Sequence, residues 1–292
     1  MTAYDLERTI TVAEREDERL GLRESFGFVG SPGNRIAVMA HIPLGPSRAT
    51  VVICSSILGD LPKNYRREVG LGRTLAGRGI KALRFHYRGC GNSDGSSAVT
   101  GFPSMCEDAR MVTQTLTVGG PVAFVGTRMG ALIAANVAAS WPGAALALLE
   151  PVVNAAGFYR EGFRARMMRD LKDQVSERPS SERLLAELDE KGVIDVFGYP
   201  VDRHLYHSTR LLNLDEQMPG DVRPILLLQM GGAELRSEYL KLGERFAART
   251  PHLKMAIHGQ ADAWWFLDDQ QPSIEQGLEP AAEWLLATIG DS

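Results

Sequence analysis

Cysteines, long apolar runs and an excess of either charge are all scarce in this sequence. The three cysteines among its 292 residues are odd in number and irregularly spaced, which argues against a disulfide framework and a zinc site. No stretch approaches the roughly 18 apolar residues needed to span a bilayer, and the charged N-terminal segment has no apolar signal core. We therefore expect a cytoplasmic protein with reduced thiols and no membrane partner.

The charges are interspersed, and the net charge is only -4. Because no basic stripe is present, we expect no nucleic-acid partner. The sequence also lacks a Gly-x-Gly-x-x-Gly fingerprint and a phosphate-binding loop, so we expect no cofactor, and no metal is indicated. A small molecule is the expected partner. The 44% hydrophobic content is enough for one large core.

Short apolar runs alternate with longer amphipathic segments, which is typical of a mostly parallel, doubly wound α/β sheet. The predicted strands are Arg35–Pro43, Thr50–Ile57, Ile80–Tyr87, Pro121–Gly126, Ala144–Val152, Pro224–Met230 and Leu253–Gly259. The alternation stops between about Asn154 and Pro219, where the sequence is charged and helix-prone. We predict a core of residues 1–153 and 220–292, with a helical cap inserted at 154–219.

A strand-to-helix turn follows the strand Pro121–Gly126 and reads Gly126-Thr127-Arg128-Met129-Gly130. This is the frame of a nucleophile elbow, in which a glycine on each side allows close backbone approach while the central side chain points to the pocket. The central residue here is Arg128 in place of serine. A permanently protonated guanidinium has no lone pair for attack on a carbonyl, so ordinary serine hydrolysis is excluded at this position.

With these motifs the sequence resembles the α/β hydrolases, and most closely the hydrolases associated with exosortase gene clusters, whose elbow also carries arginine. The resemblance spans nearly the whole chain and implies the α/β-hydrolase fold strongly and an activity only weakly. Besides the elbow, the segments that carry the resemblance are Asn64–Glu68, Arg88–Ser93, Glu150–Val153 and Gly198-Tyr199.

The resemblance also implies where the rest of a catalytic triad would lie. The acid would follow the strand Pro224–Met230, where Glu234 stands, although a carboxylate that stabilises a helix N-terminus explains Glu234 equally well. The histidine position is occupied by Ala263, so the general base is missing too. His258 lies a few residues upstream, and a structural role is the more economical explanation for it.

The loop from Cys54 to Asp60 would supply an oxyanion-hole N–H, paired with the N–H of Met129. Together with Arg128 these donors would suit a carboxylate or a phosphate. Alternatively, an internal carboxylate neutralises Arg128 and fills the old pocket, because buried arginines are nearly always paired. The candidate partners are Glu150, Glu234 and Asp262.

Other side chains could take part in the site. Cys90 is an alternative nucleophile if a cation such as Arg88 lowers its pKa, but no histidine is clearly placed as its base. Ser55 and Ser56 also lack an identified base. Trp264 and Trp265 either line the pocket or pack against the last helix. An apolar ceiling could come from cap residues Phe158, Tyr159, Phe163, Met167, Met168 and Tyr199.

Three functions are compatible with these residues. The first is a protein that binds or transforms an acyl, thioester or carboxylate-bearing small molecule by a non-serine mechanism, with an acyl carrier or another protein as a candidate partner. The second is a non-catalytic pseudo-hydrolase that binds a ligand or acts as a scaffold. The third is an esterase or thioesterase with a displaced nucleophile, which would require Ser55 or Ser56 to meet His258.

Overall fold

The computed structural model describes residues 9–117, 119–173, 180–196, 198–247, 250, 252–259 and 278–290. Nine of the strands in this part of the chain form one sheet, in the order β1-β2-β3-β5-β4-β6-β7-β10-β11, and β8 pairs with β9 in a separate hairpin. The strands are β1 Thr9–Asp17, β2 Leu22–Val29, β3 Ile36–Pro43, β4 Ala49–Cys54, β5 Ile80–Phe85, β6 Val122–Thr127, β7 Ala145–Leu149, β8 Val193–Val196, β9 Tyr199–Asp202, β10 Ile225–Met230 and β11 Leu253–His258.

Helices connect most of these strands. They are α1 Asp60–Gly77, α2 Phe102–Leu116, α3 Gly130–Ala138, α4 Ala155–Lys172, α5 Ser181–Lys191, α6 Arg203–Thr209, α7 Leu214–Gln217, α8 Ser237–Ala247 and α9 Glu279–Ile289.

The sheet is parallel from β5 through β4, β6, β7 and β10 to β11, whereas β1, β2 and β3 add an antiparallel edge next to β5. Every residue of the central strands β4, β7 and β10 is buried, as expected for strands covered by helices on both faces. One face packs against α2, α3 and α8, and the other packs against α1 and α9. The expected α/β-hydrolase fold is confirmed.

All seven predicted strands are present, and their ends differ from the prediction by at most three residues. The sequence analysis missed four strands. Strand β1 carries charged side chains and is mostly exposed, so it lacks an apolar face, and β8 and β9 have only four residues each. The expectation that helices replace strands throughout 154–219 was therefore wrong for this hairpin.

Between β7 and β10 the chain forms α4 to α7 and the β8–β9 hairpin. This segment has an apolar cluster of its own, distinct from the two clusters that flank the sheet. Two half-buried side chains, Leu58 and Phe158, pack against both this cluster and the main core. The proposal that residues 154–219 form a cap with these boundaries stays a prediction. The members of the cluster are Tyr159, Phe163, Leu184, Leu188, Ile194 and Val201.

Three further observations concern the described part of the chain. Cys54, Cys90 and Cys106 form no disulfide there. None of the helices in the described ranges is long and apolar enough to cross a bilayer. No cluster of three or more side chains with metal-ligand chemistry is found among the same residues.

Candidate functional site

The turn between β6 and α3 has the backbone geometry of a nucleophile elbow. Its central residue, Arg128, has φ +54°, a left-handed conformation that L residues with a side chain rarely adopt. The Arg128 N–H donates to the Leu149 carbonyl at 3.0 Å, and the Arg128 carbonyl accepts from the N–H of Ala131 at 3.1 Å. These bonds hold the turn between β7 and α3. The geometry predicted from the two flanking glycines is therefore present, with arginine at its centre.

Close backbone contacts explain both glycines of the elbow. A Cβ on Gly126 would lie 2.4 Å from the Ala131 Cα, and a Cβ on Gly130 would lie 2.1 Å from the Cys54 carbonyl oxygen. Neither neighbouring backbone atom can move without displacing the sheet or α3. The glycines thus bring α3 against β4 and fix the direction of the residue between them.

The side chain of Arg128 forms an ion pair with Asp60, the first residue of α1. Its Nε donates to Asp60 Oδ2 at 2.9 Å, and Nη1 donates to the Glu150 main-chain carbonyl at 3.3 Å. Burial lowers the pKa of Arg128, but the charge and hydrogen bond of Asp60 outweigh burial and raise it above its usual value. The internal carboxylate expected for Arg128 therefore exists, but it is Asp60, which the sequence analysis did not name as a partner.

Of the three partners considered from sequence, Glu150 offers Arg128 a carbonyl hydrogen bond, while its own carboxylate is fully buried and serves other groups. Glu150 Oε2 accepts from the Met230 N–H at 2.7 Å, and Oε1 accepts from Arg236 Nη1. Glu150 also has a positive φ of +46°. Arg236 and Arg128 thus both contact Glu150, Arg236 at its carboxylate and Arg128 at its carbonyl, and both line the same cavity.

A cavity of about 650 Å³ opens above Arg128. This volume is within the usual range for small-molecule sites. Its floor comes from the loop after β4, from α1, from the elbow and from the turn after β10, while α4 and the β8–β9 hairpin form its apolar side. The apolar residues that line it are Leu58, Phe158, Tyr159, Phe163, Ala165, Val196, Tyr199 and Val201. Of the predicted ceiling residues, Met167 and Met168 are not part of this lining.

The charges of the cavity are unevenly distributed with depth. Arg128 is only 14% exposed and its partner Asp60 only 11%, whereas Glu161 and Glu238 at the rim are exposed. Among the described lining residues, three cations (Lys63, Arg128 and Arg236) accompany three carboxylates (Asp60, Glu161 and Glu238). Partial burial raises the pKa of Glu238, and the Glu161 charge adds to this, whereas the charges of Arg236 and Arg128 act in the opposite direction. The Arg128 side chain, at 14% exposure, is thus more deeply buried than that of Arg236, at 33%.

The predicted oxyanion loop adds little to this cavity through its serines. Ser55 Oγ donates to Glu68 Oε2 at 2.7 Å, and Ser56 Oγ accepts from Asn64 Nδ2 at 3.4 Å. Both serines are buried and line a second, neighbouring cavity of about 250 Å³. The Met129 side chain is buried in the core and lines neither cavity, and the role of its main-chain N–H as an oxyanion donor stays a prediction.

Cys90 lines the second cavity and is absent from the lining of the Arg128 cavity. Burial raises the pKa of its thiol, and the Asp108 carboxylate adds to this, although a hydrogen bond with Thr100 acts in the opposite direction. Arg88, the cation expected to activate Cys90, is paired instead with Asp108 at 2.5 Å. Among the residues that the structure describes, no cation is therefore found that activates this thiol.

The remaining candidates lie away from the Arg128 cavity or outside the described residues. Glu234 is exposed and lines neither cavity, and His258, at the end of β11, also lines neither. Ser55 and Ser56 are accordingly not brought together with His258 around one cavity. Trp264 and Trp265 lie outside the described residues, as do Asp262 and Ala263.

The geometry agrees with a comparison of the chain against protein families. The family model described as serine aminopeptidase, S33, an α/β-hydrolase family, matches residues 45–190, which is half of the chain. The chain belongs to this family. The matched region of the S33 model includes the oxyanion loop, α1 and the elbow with Arg128 at its centre.

Solved structures share the fold of this S33 family member at low sequence identity. Est1E of Butyrivibrio proteoclasticus with ferulic acid bound has a TM-score of 0.65 and 15% identity, covering 90% of this chain and 99% of that one. Mouse α/β hydrolase domain-containing protein 10 has a TM-score of 0.61 and 15% identity, covering 90% and 98%. An esterase of Pyrococcus furiosus has a TM-score of 0.60 and 16% identity, covering 96% of each chain.

Two curated relatives, uncharacterized proteins from two strains of Mycobacterium tuberculosis, are 32% identical over 117 residues. These matches span 38% of this chain and 39% of each relative, less than half of either length.

The charged residues of the site that were missed from sequence are Asp60, Lys63, Glu161, Arg236 and Glu238. Asp60 was assigned only to the oxyanion loop, and Arg236 lies two positions beyond the favoured acid, Glu234. A signal was available for Arg236, since it lies in the same turn after β10 in which the resemblance places the acid. Asp60 had no such signal, because its contact depends on how α1 packs beside the elbow.

Proposed function

We propose that the protein binds a small molecule bearing a carboxylate or an acyl group in the Arg128 cavity, and that any reaction there proceeds without a serine nucleophile. The observation that supports this most directly is Arg128 itself. The elbow turns its side chain toward a cavity of about 650 Å³, at the position where family members of the serine type hold their nucleophile. A guanidinium there serves as an anion anchor.

The proposed binding mode follows from the charges and the apolar wall. A carboxylate at the inner end would meet Arg128, Arg236 and Lys63, and charge-assisted hydrogen bonds to guanidinium groups are stronger than neutral ones. The apolar remainder of the ligand would pack against α4 and the β8–β9 hairpin. A thioester on an acyl carrier protein would present the same kind of acyl group to the cavity from the protein surface. We therefore propose an acyl carrier as a partner.

We further propose that the catalytic triad is degenerate and that the protein is most closely related to exosortase-associated hydrolases with arginine at the elbow. We also propose a cytoplasmic location. Arg128 in the elbow supports the first two, since the fold is kept while its nucleophile is replaced.

A non-catalytic ligand-binding protein is the second candidate. It is favoured by the fact that no histidine lines the Arg128 cavity among the residues that the structure describes. The described lining therefore lacks the usual general base and offers only carboxylates, such as Glu238, and Lys63 for proton transfer. The two candidates share the ligand class and differ only in turnover.

Turnover and thermal stabilisation, measured side by side, test the proposal. Wild type, Arg128→Ala and Cys90→Ala are assayed with p-nitrophenyl esters and acyl thioesters, and their unfolding temperatures are titrated with small carboxylates and acyl phosphates. Arg245→Ala is the matched control, because Arg245 also pairs with an aspartate, Asp215 at 3.1 Å, but does not line the cavity.

Each outcome selects one candidate. Turnover that survives rigorous purification and falls in Arg128→Ala but not in Arg245→Ala supports the enzyme. Stabilisation by carboxylates without turnover, lost in Arg128→Ala alone, supports the binding protein. Turnover lost in Cys90→Ala instead supports a thiol mechanism. If wild type shows neither turnover nor stabilisation, the proposal is wrong.

A further inference from the structure

The Arg128 cavity and the second cavity share a wall. Leu58 and Tyr199 are the two side chains that line both, one from the loop after β4 and the other from the first position of β9. The cavities have volumes of about 650 and 250 Å³. Removal of the wall would therefore extend the site considerably.

The wall is built by contact between the sheet core and the β8–β9 hairpin. The Tyr199 ring lies over the loop after β4, where a Cβ on Gly59 would be 3.3 Å from Tyr199 Cδ2. Leu58 has a φ of +53°, a conformation disfavoured for a residue with a side chain, and it packs against both the main core and the apolar cluster of the segment between β7 and β10. Each half of the wall is thus held by its own packing.

The second cavity suits hydrocarbon better than a carboxylate. Its lining includes Ile57, Leu61, Phe85 and Leu205, and no lysine or arginine is found among its described lining residues. Asp202 also lines it and would repel an anion. Burial lowers the pKa of His86, and the charge of Arg84 adds to this, so that imidazole is neutral at pH 7.

We infer that the wall formed by Leu58 and Tyr199 determines the length of the acyl chain that the site accepts. The carboxylate lies beside Arg128, and the chain extends along the apolar side until it meets the wall. The second cavity lies beyond the wall and receives the chain end when the wall is removed. This inference rests on the proposed function, because it requires the carboxylate to bind beside Arg128.

The test is a chain-length profile. Dissociation constants of saturated monocarboxylates from hexanoate to hexadecanoate are measured with the full chain by isothermal titration calorimetry. While the chain lengthens inside the Arg128 cavity, each added methylene should tighten binding about fourfold, the equivalent of burying one CH₂ group. Beyond the length at which the chain meets the wall, wild-type affinity should stop rising. We call this chain length the break in the profile.

Two variants open the wall independently. In Tyr199→Ala the break in the profile should move to chains at least two carbons longer, since the side chain left at 199 no longer separates the cavities. Leu58→Gly should move the break in the same direction. Because glycine readily adopts the positive φ at position 58, this variant still tests the inference if Tyr199→Ala fails to fold. Adding Leu61→Trp to Tyr199→Ala narrows the second cavity and should move the break back toward shorter chains.

Tyr206→Ala is the matched control. Tyr206 packs against Tyr159 and Phe163 in the same segment of the chain but lines neither cavity, so its removal should leave the break in place. An unchanged break in folded Tyr199→Ala and Leu58→Gly would overturn the inference while leaving the proposed function standing. Failure of every carboxylate to bind any of these proteins would overturn both.

Discussion

Arg128 and Asp60 form an ion pair at 2.9 Å, across the gap between the elbow and the first residue of α1. The central residue of the elbow is therefore fixed in place by a carboxylate at the start of α1. The pair is partly buried, because both side chains also line the open cavity. An arginine held in this way presents a fixed guanidinium to a ligand at little further cost in side-chain entropy.

The Arg128–Asp60 pair should contribute to stability as well as to binding. Asp60→Asn and Arg128→Gln should each lower the free energy of unfolding by about 2 kcal/mol, less than the 3–5 kcal/mol typical of a fully buried pair, because the cavity admits water. The double variant should lose less than the sum of the two single losses. Urea unfolding measures all three, with Arg245→Ala as the surface control. Additive losses would show that the two side chains do not interact.

The two elbow glycines should not tolerate even a methyl group. Gly126→Ala and Gly130→Ala place a Cβ within 2.4 Å and 2.1 Å of backbone atoms, so each should lower the free energy of unfolding by at least ~2 kcal/mol. Gly220→Ala is the control, since nothing lies within 4 Å of its added Cβ. Thermal and urea unfolding provide the measurement. Equal stability of all three variants would mean that α3 does not approach β4 as closely as described.

Stability should fall on mild acidification because of His41. This histidine is 3% exposed, and burial, reinforced by the charge of Arg84, lowers its pKa to about 4 despite the nearby Glu24 carboxylate. Between pH 6.5, where an unfolded histidine titrates, and about 4, the unfolded chain binds a proton that the folded protein does not. The free energy of unfolding should therefore decrease by up to about 1.4 kcal/mol per pH unit as the pH falls through this window.

Substitution of His41 separates its effect from those of other groups. The measurement is urea unfolding between pH 7.5 and 5, where the lowered pKa of Glu24 does not yet matter. His41→Gln should reduce the slope relative to wild type. The lowered pKa of His86 acts in the same direction as His41, whereas the raised pKa values of Glu68, Asp108 and Glu238 act in the opposite direction in both proteins. The same slope in His41→Gln and wild type would contradict the assignment.

Local patterns in the sequence were enough to predict the central sheet and the elbow. The runs that became β4, β7 and β10 are apolar throughout because both of their faces are covered, and the elbow is defined by two glycines within five residues. Strand β1 offered no such pattern, since it lies at the edge of the sheet with charged side chains exposed. The S33 family model matches residues 45–190, a region that includes the elbow and the predicted strands from β4 to β7.

The partners of the charged side chains could not be read from sequence. Arg88 is two residues from Cys90, which suggested an activated thiol, but its guanidinium turns to Asp108 on α2. Arg128 pairs with Asp60, which is 68 residues away in sequence. Such contacts depend on how helices pack around the sheet, and sequence spacing contains no direct measure of that packing.

The central claim is that Arg128 binds the carboxylate of a ligand. It is tested most directly by isothermal titration calorimetry with decanoate and decan-1-ol, which share a chain and differ in the charged group. Wild type should bind decanoate at least ~10-fold more tightly, since a charge-assisted hydrogen bond contributes about 1.5–3 kcal/mol, and Arg128→Ala should lose this preference. Equal affinities for the two ligands in wild type, or a preference for decanoate that persists in Arg128→Ala, would contradict the account.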